Sequence, residues 1–293
     1  MRVSKIALGM ATGLALAALV AGGTAAGAST TARSTSAPGP SVHTFGDIRL
    51  STVQLPRPVL PHIRRVNNTT YLSTNWSGYA VTAKSGYQTQ YINATWNIPS
   101  VNCANSVIGS SGQSEVSNWV GLDGFSNLTV EQDGSTGICT STTSAPTYLA
   151  WYEMSPLAPV SFSGVNPGDA VYASVHYVGS GKYNIIFTDE TQNSGFNVTE
   201  SCPSGSKCLN ASAEVITEDP GSSVPSVDLP DYGMINYDGA RAEYGTHLGT
   251  LNATTYWNGP LQVLMEDPSG HVMSQPSALY GGQGFATTWK TSS

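Results

Sequence analysis

Two glutamates lie four residues apart in a segment that has the alternation of a β-strand. Residues 211–220 read A-S-A-E-V-I-T-E-D-P. Because strand side chains alternate between the faces of a sheet, Glu214 and Glu218 share one face and Val215 lies on the other. Carboxyl groups held on a common face can act as general acids and bases. The alternative interpretation is a solvent-exposed sheet face, where glutamates are ordinarily found.

A second segment, 118–135, carries further polar groups that could do chemistry. It reads N-W-V-G-L-D-G-F-S-N-L-T-V-E-Q-D-G-S and contains Trp119, Asp123 and Gln132. We predict strands over 118–122 and 128–132, on either side of a loop. Gln132 precedes Asp-Gly, a strong turn signal, so by itself it is typical of the last residue before a hairpin turn.

Several other hydrolytic chemistries lack their motifs. There is no G-x-S-x-G, and His176 lies in the middle of a predicted strand. The segment Asp133-Gly134-Ser135 has the wrong residue order for an aspartic peptidase and has no second copy. The five histidines lie far apart without H-E-x-x-H, so we expect no metal and no cofactor.

Paired carboxylates would also suit glycoside hydrolysis. Such pairs lie about 5–9.5 Å apart, whereas four residues along a strand span about 13 Å. Glu214 and Glu218 therefore cannot form that pair by themselves, but Glu153 in W-Y-E-M lies on another predicted strand and could approach either one. A glycosidase remains an alternative, and so does a lectin-like carbohydrate-binding module.

The elements that must position these groups are short strands. Only 11% of the residues are charged, Gly (31) and Tyr (14) are abundant, and apolar helical periodicity is missing after residue 30. Turn signals about every 8–12 residues favour an all-β sandwich or barrel. We find no internal repeat and predict one domain over 71–293.

The N-terminal residues are typical of a secretory leader. Arg2 and Lys5 precede an apolar run over 6–20, and Ala26-Gly27-Ala28 fits a cleavage site. We therefore predict a signal peptide over 1–28, a secreted protein and no membrane span. Residues 29–70 are rich in Ser, Thr, Pro and Ala and then basic, which indicates a propeptide or linker.

Charge is divided unevenly along the chain. Residues 1–70 hold seven basic residues against one acidic residue, a net of +6, and residues 71–293 hold five against eighteen, a net of −13. The acidic body argues against a nucleic-acid partner and suits work at low pH. The opposite charges suggest that the propeptide binds the body electrostatically, with a disordered spacer as the alternative.

Four cysteines in an exported chain indicate disulfides. Cys202 and Cys208 bracket a short, turn-rich loop, so we pair them, which leaves Cys103 with Cys139. Four cysteines allow three pairings, and the sequence alone does not choose among them.

Short motifs in a constant order make the chain similar to the glutamic peptidases, or eqolisins, and we take it for a secreted bacterial member. The resemblance extends over most of 71–293. The matching segments are N-W-S-G at 75–78, W-V-G-L-D-G at 119–124, E-Q-D-G at 131–134, A-W-Y-E at 150–153, P-G-D at 167–169 and A-E-V-I-T-E-D at 213–219.

The resemblance implies a lectin-like, jelly-roll type sandwich of two antiparallel sheets, with Gln132 and Glu218 as the catalytic pair. It implies an acid-acting endopeptidase whose partners are a polypeptide substrate and its own propeptide, and we expect a monomer. Supporting or substrate-binding roles are expected for Trp76, Trp119, Asp123, Glu153 and Glu214.

The chain departs from the family pattern at three positions. Asp133 replaces a threonine, Thr136 replaces an acidic residue and Val215 replaces an aromatic one. These changes bear on pH optimum and subsite preference, and they leave room for a member that kept the fold and lost activity.

Overall fold

The computed structural model describes residues 43–44, 55, 62–220 and 228–293. The predicted signal peptide and most of the predicted propeptide lie outside these residues. The described part contains one 3₁₀ helix, Cys103–Asn105, and 18 strands: β1 His43–Thr44, β2 Ile63–Arg65, β3 Thr70–Ser73, β4 Trp76–Ala83, β5 Thr89–Asn97, β6 Ser114–Leu122, β7 Glu131–Cys139, β8 Thr147–Met154, β9 Val160–Phe162, β10 Ala170–Gly179, β11 Lys182–Asp189, β12 Ser194–Ser201, β13 Ser212–Glu218, β14 Met234–Tyr244, β15 His247–Thr250, β16 Trp257–Glu266, β17 Val272–Pro276 and β18 Phe285–Trp289. In that part, no helix is long and apolar enough to cross a membrane.

The strands form two layers, which confirms the predicted antiparallel β-sandwich. The front layer has the order β2-β3-β16-β4-β13-β6-β7-β8-β9. The back layer has the order β17-β18-β14-β5-β10-β11-β12-β1, with β15 paired to β14. Pairing of β16 with β17 joins the layers. The parallel pairs are β3 with β16 and β1 with β12.

The main core fills the space between the layers. Val120 and Val215 of the front layer and Ile92, Val175 and Phe187 of the back layer belong to one buried apolar cluster. Hydrogen bonds also cross this space. Trp96 Nε1 donates to Ser135 Oγ over 3.2 Å. Such contacts hold the front layer, and the polar groups on its outer face, at a constant distance from the back layer.

Strand β13 lies in the middle of the front layer and is buried along its whole length. Its inner face, which includes Val215, packs in the core, and its outer face carries Glu214, Ile216 and Glu218. The exposed fractions of Glu214 and Glu218 are 0% and 3%. The alternative of a solvent-exposed sheet face is therefore wrong, because aromatic side chains cover the outer face as well.

Both disulfides have the predicted pairing. Cys103 is bonded to Cys139 and Cys202 to Cys208. The first closes a loop of 36 residues and ties the 3₁₀ helix to the end of β7, whereas the second closes only 6. Cross-linking stabilises a fold chiefly by restricting the unfolded chain, and more so for a longer loop.

We predict that removing the longer cross-link costs more stability. The loop lengths give about 4 kcal/mol for Cys103→Ser/Cys139→Ser and about 2 kcal/mol for Cys202→Ser/Cys208→Ser. Urea unfolding of both double variants beside the wild type measures the difference. Equal losses would show that loop length does not control the stabilisation in this fold.

Candidate active site

Glu218 lies at the end of β13, opposite Ser117 of β6 and Trp76 of β4. Its carboxyl group is held from two sides. Asn75 Nδ2 donates to Oε1 over 3.2 Å, and Trp119 Nε1 donates to Oε2 over 2.8 Å. These donors fix the rotamer of a carboxyl group that is almost fully buried.

Trp119 reaches Glu218 because glycines leave room for its indole. A Cβ added to Gly121 would lie 2.9 Å from the Trp119 ring, and one added to Gly134 would lie 2.7 Å from Trp119 Cβ. The indole of Trp76 packs edge-on against it, with ring centroids 5.0 Å apart. The glycines of W-V-G and Q-D-G therefore make space for one side chain on the outer face.

Gln132 is the second residue of the nine-residue strand β7. The hairpin-turn interpretation and the predicted strand 128–132 are therefore wrong, since Asp133-Gly134 continues the strand. Gln132 lies opposite Glu153 of β8, and its Nε2 donates to Glu153 Oε2 over 2.8 Å. Its Oε1 is buried and has no hydrogen-bond partner among the described residues.

Gln132 and Glu218 come from different rungs of the sheet but line one cleft. Gln132 is opposite Gly121 of β6, whereas Glu218 is opposite Ser117, four residues earlier. The lining side chains border about 280 Å³ of space, part of which is open to solvent. The lining residues are Leu55, Ser117, Gln132, Trp151, Glu153, Pro159, Glu218 and Pro220.

Thr136, one of the departures from the family pattern, lies beside this cleft. It is opposite Ser117, and the two hydroxyl oxygens are 2.6 Å apart. A neutral hydroxyl pair therefore borders Glu218 at this position, where the family pattern has a carboxylate.

The carboxyl groups of the cleft titrate far from their ordinary range. Burial raises the pKa of Glu218 to about 8, and the N–H of Trp119 opposes that rise. Burial also raises the pKa of Glu153 well above its usual range, the Gln132 hydrogen bond lowers it, and the charge of Glu218 raises it further. Both groups therefore hold protons readily in mild acid.

Two other predicted site residues lie away from the cleft lining. The Asp123 carboxylate accepts the backbone N–H groups of Leu209, Asn210 and Ala211 over 2.7, 2.8 and 2.7 Å. It thereby anchors the chain just before β13. Glu214 is opposite Gly121, across β6 from Gln132, and neither of its oxygens has a partner among the described residues.

Sequence reasoning missed several residues of the site. Asn75 lies in the N-W-S-G motif and Trp151 in the A-W-Y-E motif, so their motif positions were an available signal. Pro159 and Pro220 carry no such signal. Leu55 lies in the predicted propeptide, where nothing in the local sequence points to a cleft.

The described residues around the cleft do not form a set of metal ligands. Within 62–220 and 228–293, no group of three or more His, Cys, Asp or Glu side chains could hold a metal ion. The site offers one buried carboxyl group, one primary amide and a supporting second carboxyl group, which together can move a proton and bind an oxyanion.

The chain is similar in fold to several solved structures of glutamic peptidases. Scytalido-glutamic peptidase with a transition state analog inhibitor has a TM-score of 0.58 and 18% identity, covering 74% of this chain and 98% of that one. SCP-B, an eqolisin in complex with the tripeptide Ala-Ile-His, has a TM-score of 0.54, 18% identity and the same coverage. Aspergilloglutamic peptidase from Aspergillus niger has a TM-score of 0.50 and 22% identity, covering 60% and 99%. At these identities the likeness defines the fold.

The fold is that of a β-sandwich, and a family match identifies the class of protein. The chain matches the peptidase A4 family over residues 74–263. No curated protein gives a significant match. This chain belongs to the peptidase A4 family, and it is a peptidase.

We predict that Trp119→Phe raises the pKa of Glu218 further. The indole N–H stabilises the ionised carboxylate, so losing it favours the protonated form. Carboxyl ¹³C NMR titration of labelled glutamate follows Glu218 directly. Trp151→Phe is the matched control, because the Trp151 Nε1 has no hydrogen-bond partner among the described residues. An unchanged or lower Glu218 pKa in Trp119→Phe would contradict this account.

We also predict that the fold loses stability as pH rises from about 4 to about 9. Burial raises the pKa values of Glu115 to about 8 and Glu131 to about 9, and that of Asp133 well above its usual range. Such groups bind more protons when folded than when unfolded, so their contribution is full below the unfolded pKa. It is lost as pH rises toward the folded pKa.

Thermal unfolding at pH 4 and pH 8 measures this loss, and Asp133→Asn isolates one group. Asp133 is fully buried, and neither oxygen has a hydrogen-bond partner among the described residues. The uncharged amide is expected to reduce the drop in Tm between the two pH values by about 2–4 °C for each kcal/mol recovered. Exposed Glu190→Gln is the control. An identical drop in Asp133→Asn and wild type would show that Asp133 does not carry the effect.

Proposed function

We propose that this peptidase is a secreted glutamic endopeptidase in which Gln132 and Glu218 are the catalytic pair. The observation that carries the proposal is their convergence on one cleft, with each side chain held by its own hydrogen bonds. The predicted signal peptide and two disulfides support secretion. We further propose that it acts as a monomer on polypeptides.

Glu218 supplies the proton chemistry of amide hydrolysis. Its ionised form takes a proton from water as the water attacks the carbonyl carbon. The protonated form then gives that proton to the leaving nitrogen, so the C–N bond breaks and the amine departs neutral. With a pKa of about 8, the protonated form predominates in acid, and the ionised form that begins this sequence is the minor one and grows as pH rises.

Gln132 supplies the oxyanion site. A primary amide carries two N–H donors, and the Nε2 bond to Glu153 uses one of them. The other is available to the tetrahedral oxyanion, a contribution worth about 2.7–4 kcal/mol in a comparable case. Because an amide does not titrate, this half of the site works unchanged in acid.

Substitution of the pair tests the proposal. Removing an oxyanion donor costs about 10²–10³ in kcat, so we expect Gln132→Ala to lose that much and Glu218→Gln to lose all measurable activity. Digestion of denatured casein over pH 2–8, with pepstatin present to suppress aspartic peptidases, measures both. Exposed Glu190→Gln is the matched carboxylate control.

Either variant digesting casein at the wild-type rate would reject the assigned roles. The family membership would stand, and the search for the catalytic groups would move to other carboxyl groups.

The glycosidase alternative has one observation in its favour. Glu153 and Glu218 line the same cleft, as a carboxylate pair would. In a glycosidase Glu153→Gln would abolish glycan hydrolysis and Gln132→Ala would be tolerated. The family match favours the peptidase, and assays of both variants on casein and on oligosaccharides separate the two functions.

A further inference from the structure

Leu55 comes from the N-terminal segment and lies in the cleft. Among the described residues of that segment, Leu55 is the one that lines the space beside Gln132 and Glu218. Its side chain also packs against an apolar cluster on the outer face of the front layer, formed by Trp76, Trp119, Val130, Trp151, Ile216 and Val263. An aliphatic side chain therefore occupies the position where a substrate side chain would meet the proposed catalytic pair.

The cleft has one wall suited to such a side chain. Trp151 and Pro159, which we call the apolar wall, contribute apolar surface to the lining, and Gln132, Glu153 and Glu218 contribute polar groups. An aliphatic side chain against the apolar wall gains from leaving water, whereas a charged one would lose its hydration without a partner.

The ion pair that the structure describes for this segment is expected to contribute less than the apolar contact of Leu55. Arg64 Nη2 lies 3.8 Å from Glu266 Oε2, and the Arg64 side chain is 70% exposed. Exposed ion pairs contribute little. The apolar contact of Leu55 is thus the better candidate for holding the segment at the cleft.

We propose that the apolar wall is a side-chain subsite for a leucine-sized aliphatic residue of the polypeptide substrate, and that Leu55 fills this subsite in the unprocessed chain. The inference rests on the proposed function, because it assigns a substrate to the same cleft. It names the substrate class as polypeptides with a large aliphatic residue beside the scissile bond.

A binding experiment tests the subsite without any catalysis. The full chain carries Glu218→Gln to prevent cleavage and Leu55→Asp to vacate the subsite. The probes are acetyl-Val-Gln-Leu-Pro-Arg-amide, which has the sequence of residues 53–57, and the same peptide with Asp in place of Leu. Isothermal titration calorimetry gives both Kd values, and the Leu55→Met/Glu218→Gln chain is the matched control.

We expect the leucine peptide to bind the vacated chain about 10- to 100-fold more tightly than the aspartate peptide, as burial of one leucine side chain implies. The Leu55→Met/Glu218→Gln chain should bind the leucine peptide at least tenfold more weakly than the Leu55→Asp/Glu218→Gln chain, because the methionine at position 55 fills the subsite. Equal affinity of the two peptides, or equal affinity of the two chains, would overturn the proposal.

Cleavage data then separate this inference from the proposed function. The processed wild-type enzyme digests a peptide mixture, and mass spectrometry maps the cut sites. Enrichment of Leu, Ile and Met at one position beside the cut supports the subsite, and no aliphatic preference at any position overturns it. If the wild type cuts nothing, the proposed function fails, and the calorimetry alone decides whether the subsite exists.

Discussion

The hydrogen bond from Trp119 to Glu218 is the interaction on which the site depends. It is the shorter of the two hydrogen bonds that orient this buried carboxyl group, the other coming from Asn75. The indole can make this bond because Gly121 and Gly134 leave room for it, and Trp76 makes an edge-to-face contact with it. The absence of side chains at Gly121 of β6 and Gly134 of β7 thus makes room for Trp119, and Trp119 orients the Glu218 carboxyl group.

Burial and protonation are linked throughout the front layer. The outer face of β13 and the inner face of β7 carry carboxyl groups that lack positive partners and are shielded from water. Holding these groups neutral avoids the desolvation cost of an ion. The low pH that stabilises the fold also keeps Glu218 protonated, so one pH range governs both the stability of the front layer and the charge of this carboxyl group.

The sequence was most informative where local chemistry decides the outcome. Alternation placed Glu214 and Glu218 on one face, and the short Cys202–Cys208 loop led to both disulfides. It failed at Asp133-Gly134, where a turn signal lies inside a strand because Gly134 is needed to admit Trp119. It could not place Leu55, because that contact joins a residue far from β13 in the sequence to a surface that several strands form together.

Gly134 has a consequence for classifying related sequences. A carboxylate aligned with Glu218 can persist in a protein that has lost the site, because a glutamate is compatible with many environments. A side chain at Gly134 would meet Asn118 O at 2.2 Å and displace the tryptophan. The glycine two residues after Gln132 is therefore a more selective marker of this cleft geometry than the glutamate itself.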